Sequence, residues 1–177
     1  KTLQAHTSLV RQMQDRDIHR HYTTLVHGHI IGGATIETCF GRHPRNRLKM
    51  AVHQQGREAI THYSVTSHLL NMTLLKVTLY TGRTHQIRVH MAHIGHPVFG
   101  DPLYGGRLKF PKGADAELRA LLQQFNRQAL HACELSFIHP ETEEELTVTA
   151  DLPDDFKTLI QTLSHYDELY QSELARP

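Results

Sequence analysis

A chain of 177 residues, 39% hydrophobic and 21% charged, has room for one ordinary core and not for two independent ones. Two cysteines, Cys39 and Cys133, make neither a disulfide framework nor a four-ligand zinc site. No stretch approaches the ~20 apolar residues of a membrane span and the N-terminal residues lack the pattern of an export signal, so a cytoplasmic protein is expected.

The formal net charge of +1 conceals a polarity along the chain. Residues 1–112 hold 15 Lys or Arg against 5 acids, net +10, whereas 141–177 hold 2 against 10, net −8. Such asymmetry points toward nucleic acid. The stretch 42–57 carries Arg42, Arg45, Arg47, Lys49 and Arg57 with no acid. It can follow a phosphate backbone, or be a solvated loop.

Taken in chain order, Leu3, Val10, Met13 and Ile18 at near-helical spacing predict a helix over 3–16. Runs with alternation or β-branched enrichment predict strands over 22–30, 60–68, 72–80, 131–139 and 145–150. In 72–80, Leu75, Val77 and Leu79 lie on one face and Lys76, Thr78 and Tyr80 on the other, which requires cover on at least one side. Ile87, Met91 and Ile94, with Thr84 before them and Gly95 and Pro97 after, predict a capped helix. The segment GDPLYGGRLKFPKGAD reads as a long irregular loop, a feature often functional in compact domains. Residues 116–125 predict a short helix, and Pro153 in a first turn opens another through Leu163. These elements make an α/β (α+β) domain with a mixed, mainly antiparallel sheet and flanking helices.

Four histidines, His85, His90, His93 and His96, raise a metal site, but their spacing matches no usual ligand set and hydrogen-bonded or surface histidines are the simpler account. Arg83 precedes a helix start, where free N–H groups favour an anion. It can grip a phosphate, keep a catalytic carboxylate ionised, or form a surface ion pair. Asp101 in GDPLYGG suits a turn capped by its own side chain. Tyr22 can stack a base or move a proton, or serve as a core tyrosine. No Gly-x-Ser-x-Gly elbow, Walker loop or Rossmann glycine pattern is present.

The run TGRTHQIRVHMAHIGHPVFGDPLYGGR, residues 81–107, resembles the signature of the pseudouridine synthases that include the A, C and D types. IHRHY at 18–22, RLKMAV at 47–52 and AITHY at 59–63 resemble further elements of that family, and PKGA with RQALHA resembles the D type. The resemblance implies isomerisation of uridine in large-subunit ribosomal RNA, without cofactor or metal, by a parent expected to be monomeric. It assigns Arg83 to the pairing of a catalytic aspartate and Tyr22 to stacking on the target uracil. The candidate RNA contacts are Arg42, Arg45, Arg47, Lys49, Arg88, Arg107 and Lys109. The family's aspartate motif is not among these residues. Residues 1–177 are therefore expected to be the C-terminal portion of a catalytic domain, without its aspartate segment or the N-terminal RNA-binding domain, and inactive alone. A noncatalytic module docking on ribosomal RNA is the alternative, and a histidine-based metal hydrolase a third reading.

Overall fold

The computed structural model describes residues 2–174. Its frame is a seven-stranded sheet built from β1 (His19–His27), β2 (Ala34–Arg42), β3 (Met50–Val52), β4 (Arg57–Leu69), β5 (Met72–Leu79), β6 (Leu130–Ile138) and β7 (Glu145–Thr149). The spatial order is β3-β2-β4-β5-β1-β6-β7, and every pair of neighbours in it is antiparallel. Four helices flank it: α1 (Leu3–Asp15), α2 (Gln86–His93), α3 (Ala116–Gln124) and α4 (Asp154–Leu174). None of the described helices is long and apolar enough to cross a membrane.

Strand alternation sends successive side chains to opposite faces and so divides the core in two. Leu25, Met72 and Leu74 pack with Phe99, Leu118, Leu122, Phe156, Leu159 and Leu163, which seats α3 and α4 on one face. Val26, Leu75, Val77 and Leu79 pack with Ile87, Met91 and Val98, which seats α2 on the other. The alternation predicted for β5 is therefore realised, and the central strand is covered on both sides. Beside α2, Phe40, Ala59 and Val89 form a smaller cluster with Met50, Val52 and Tyr104 packed against it.

Four departures from expectation have physical causes. The strand β2 was not predicted, because its inward row is Ile36, Thr38 and Phe40. Thr38 breaks the apolar alternation, and its hydroxyl is spent on His90 Nε2 at 2.9 Å. Helix α2 begins one residue later than a Thr84 cap implies: His85 is the flanking residue, in the left-handed region at φ 60° with no side-chain cap. Helix α4 runs on to Leu174 rather than stopping near Leu163, since Tyr166 continues its apolar stripe against the core. Finally, Leu3 and Met13 of α1 are exposed. That helix is held instead by Gln12, whose side chain donates to Ile138 O and accepts from Ile138 N, both at 2.8 Å.

Candidate active site and its basic groove

Tyr22 sits on β1 opposite Val77 of β5, so its side chain shares the sheet face that carries α2, and it packs on that face's apolar cluster. Arg83 lies in the turn between β5 and α2. A cavity of about 290 Å³ brings them together, lined also by Leu79, His85, Gln86, Arg88 and Leu130. That volume lies at the lower end of ligand sites and suits one small ring.

Gln86 fixes the turn that presents Arg83. It is 2% exposed; its Oε1 accepts from Arg83 N and from Thr81 Oγ1, each at 2.9 Å. Its Nε2 donates to Ile60 O at 3.0 Å and Thr61 Oγ1 at 2.9 Å. All four bonds of one buried amide are thus used to staple the turn to β4. A Cβ at Gly82 would meet the Arg20 guanidinium, which would have to shift to make room. Arg83 itself donates Nε to Glu58 O at 3.2 Å, and its other guanidinium nitrogens have no hydrogen-bond partner among the described residues. A fork with an open edge beside an aromatic ring is suited to an anion.

Arg83 also borders a second hollow of about 670 Å³, walled by Phe40, Arg42, His53, Arg57 and Thr84. Three arginines and no acidic side chain line it. The cavity and this groove therefore share Arg83, and a basic track leads from β2 to Tyr22. Arg57 belongs to this wall although it was not among the predicted RNA contacts; the acid-free run 42–57 was the signal for it. Arg45 and Arg47 are exposed on the loop leading to β3, and Arg42 Nη1 donates to Arg47 O at 3.1 Å. Lys49 lies 5.8 Å from the Tyr104 ring centre.

Other candidates are placed elsewhere. Arg107 and Lys109 are exposed; Arg107 lines a separate hollow of about 160 Å³ with His27 and Leu122, away from Tyr22. Arg88, expected as an RNA contact, lines the cavity but gives its guanidinium to a structural partner. It is 8% exposed, and its Nε and Nη2 each donate to an Asp101 carboxylate oxygen at 2.7 Å. Asp101 also accepts from Leu103 N at 2.8 Å and Tyr104 N at 3.0 Å, the turn-capping role its sequence context suggested. Burial pushes the Asp101 carboxyl up, but Arg88 and the two backbone donors outweigh it and hold the group below the usual carboxylate range. The bond to Asp101 in turn raises Arg88 above its ordinary value.

The four clustered histidines diverge. His90 is fully buried between Thr38 and Thr61, with Nδ1 2.8 Å from Thr61 Oγ1. His96 Nδ1 bonds His27 O at 2.8 Å, His85 Nδ1 meets Tyr104 Oη at 3.1 Å, and His93 is exposed. Among the described residues, no group of three His, Cys, Asp or Glu is disposed to hold a metal ion. A cleft of about 290 Å³ between α3 and α4 contains Asp155, whose carboxylate is taken by Arg127 at 2.7 Å.

Known proteins of one family resemble this chain. A family model described as RNA pseudouridylate synthase matches residues 1–93. The ribosomal large subunit pseudouridine synthase D of Xanthomonas campestris pv. campestris is 50% identical over 176 residues, covering 99% of this chain and 53% of the relative. The protein of the same name from Escherichia coli is 45% identical over 174 residues, covering 98% and 53%. The chain thus spans about half the length of the curated relatives it matches. Human RNA Pseudouridylate Synthase Domain Containing 1 superposes with a TM-score of 0.67 at 28% identity, over 99% of this chain and 74% of that one. Human RNA Pseudouridylate Synthase Domain Containing 4 shares the fold, with a TM-score of 0.68 at 20% identity over 89% and 66%. With more than half of its residues matched by the family model, and the family's signature folded around one cavity, the chain belongs to the RNA pseudouridylate synthases.

Proposed function

We propose that this chain supplies the base-holding half of an enzyme that isomerises uridine to pseudouridine in large-subunit ribosomal RNA. The observation that carries the reading is the joining of Tyr22 and Arg83 in one cavity that opens, through Arg83, onto a groove walled by Arg42 and Arg57. A base enters such a cavity only after leaving its stack, and an aromatic face with a basic track for the displaced backbone supports that step.

In the reaction the C1′–N1 bond breaks, the uracil turns, C1′ bonds to C5, and the C5 proton is removed as N1 gains one. Tyr22 stacks on the ring and assists removal of the C5 proton. The open edge of Arg83 holds and keeps ionised the catalytic aspartate. Asp101 is already engaged by Arg88 and two backbone N–H groups, and no carboxylate is among the residues lining the cavity. On this reading the aspartate comes from a segment outside these 177 residues. Arg42, Arg45, Arg47, Lys49 and Arg57 contact the RNA backbone near the target, and Arg107 and Lys109 contact it on the far side of the Gly-rich loop. The setting is cytoplasmic, on ribosomal RNA or its precursor particle.

The test is pseudouridine formation in a large-subunit ribosomal RNA transcript by this chain and by the full natural protein at one salt concentration. Activity confined to the full protein is expected. Activity in the 177 residues alone would return the catalytic role to a carboxylate described above. Tight RNA binding without turnover in either would favour a docking module.

A further inference from the structure

We propose that His85 reads the target base: with its proton fixed on Nε2 by Tyr104, it donates a hydrogen bond to a carbonyl oxygen of the uracil held beside Tyr22. The inference rests on the isomerisation reading above and names the contact that makes that cavity selective for uracil.

The first support is placement. His85 has φ 60°, a left-handed backbone that is disfavoured for a non-glycine residue. The conformation turns its ring into the wall that also holds Tyr22 and Arg83. Strain at such a wall residue persists only where surrounding contacts fix it, and here Tyr104 does so. The two rings meet edge to face at 5.7 Å.

The second support is proton inventory. Met50 N donates to Tyr104 Oη at 2.8 Å, and His85 Nδ1 lies 3.1 Å from the same oxygen. A phenol has a single proton. With a backbone N–H already donating into Oη, Nδ1 is the partner that the phenol proton has among the described residues, and that pairing makes Nδ1 the acceptor and puts the imidazole proton on Nε2. Burial first, and Arg88 second, lower His85 from the ordinary histidine value, which favours the neutral ring with its single proton. Tyr104 is held by Arg88, 5.0 Å from its ring centre, and by its backbone N–H, which is bonded to Asp101.

The third support is that Nε2 is open. It has no hydrogen-bond partner among the described residues, and it is not one of the sealed, unpartnered atoms, which are Arg20 Nε, His27 Nδ1 and Asn71 Oδ1. With the proton on Nε2, this nitrogen is a donor accessible to a ligand.

Uracil is the ring for which one fixed donor serves throughout. A half-turn about the axis through N3 and C6 exchanges N1 with C5, as the reaction requires, and at the same time exchanges O2 with O4. A donor aimed at one carbonyl before the turn meets the other after it. Cytosine presents an amino group at C4, so one of the two orientations would set donor against donor. A site that hydrogen-bonds its substrate rejects such an analogue strongly.

The experiment follows single turnovers of the full natural protein on ribosomal RNA transcripts carrying uridine, 2-thiouridine or 4-thiouridine at the target. Sulfur accepts a hydrogen bond weakly, so either thio-substitution should slow the wild type, by roughly tenfold for one lost bond. His85→Gly removes the ring while relaxing the left-handed backbone; it should lose a similar factor on uridine and become indifferent to sulfur. His85→Gln, which restores an N–H donor, should regain most of the rate, and Tyr104→Phe should lose part of it with RNA affinity unchanged. An active wild type with an equal thio penalty in His85→Gly overturns the inference and leaves the isomerisation standing. A wild type that leaves uridine unchanged overturns both. Should His85→Gly fail to fold, His85→Gln decides: a loss of tenfold or more on uridine overturns the contact, and a smaller loss supports it.

Discussion

Arg88 and Asp101 form a two-pronged ion pair in which Nε and Nη2 of the arginine each lie 2.7 Å from a carboxylate oxygen. The Asp101 side chain is completely buried. Because Asp101 Oδ1 also accepts from Leu103 N and Tyr104 N, the pair pins the Gly-rich loop to α2. Removing one partner leaves the other buried and uncompensated, which typically costs 3–5 kcal/mol. Asp101→Asn should therefore lower the unfolding free energy by about that much, measured by urea titration at pH 7. A loss below about 1 kcal/mol would mean that the loop is held by its apolar contacts instead.

Arg83 differs from Arg88 in having an open edge, and the difference predicts a different phenotype. On the proposed isomerisation, Arg83→Lys in the full protein keeps the charge but loses the fork. The chemical step should fall by roughly a hundredfold, while RNA affinity changes by no more than about threefold, since one contact contributes little to a multi-contact interface. Rapid-quench turnover set beside filter binding separates the two. Equal losses in both would make Arg83 a phosphate contact.

Much of this architecture was legible from the residue pattern, and what was not has a common cause. Strand β5 was readable because Leu75, Val77 and Leu79 face one apolar layer. Strand β2 was hidden because Thr38 occupies an inward position and pairs with His90, a partner 52 residues away that no local window contains. Tyr22 and Arg83 could each be picked out, but only the antiparallel pairing of β1 with β5 puts them on one cavity. Arg88 looked like its basic neighbours, and burial beside Asp101 is a property of the tertiary fold. Tyr104 was hidden in a loop read only as irregular, since its importance lies in reaching Met50 and His85 at once.

The basic groove predicts a salt dependence. If Arg42 and Arg57 each neutralise one phosphate, Arg42→Gln and Arg57→Gln should each reduce the slope of log affinity against log salt by roughly 0.7 to 0.9. The double variant should then approach the sum. Fluorescence anisotropy with a target-stem RNA at several salt concentrations gives the slopes. Unchanged slopes in both variants would put the backbone on another face of the domain.

His90 supplies a pH dependence that belongs to folding rather than to catalysis. It has no exposed surface, its two nitrogens are engaged by Thr38 and Thr61, and burial, with a smaller contribution from His93, lowers it to about 4. Its folded value is thus below the ~6.5 of an unfolded histidine. Between those two values the unfolded chain binds a proton that the folded chain refuses, so stability is full above about pH 6.5 and falls as pH drops toward 4. Complete titration corresponds to roughly 3 kcal/mol. Urea midpoints at pH 7.5 and 5.0 should differ in the wild type, and His90→Gln should shrink that difference even though it lowers stability at both. The difference isolates His90 because the other titrating groups, His85 and Asp101 among them, are common to both proteins. An unchanged pH difference in His90→Gln would mean that the buried imidazole takes up its proton in place, with the threonine hydroxyls turning to accept from both nitrogens.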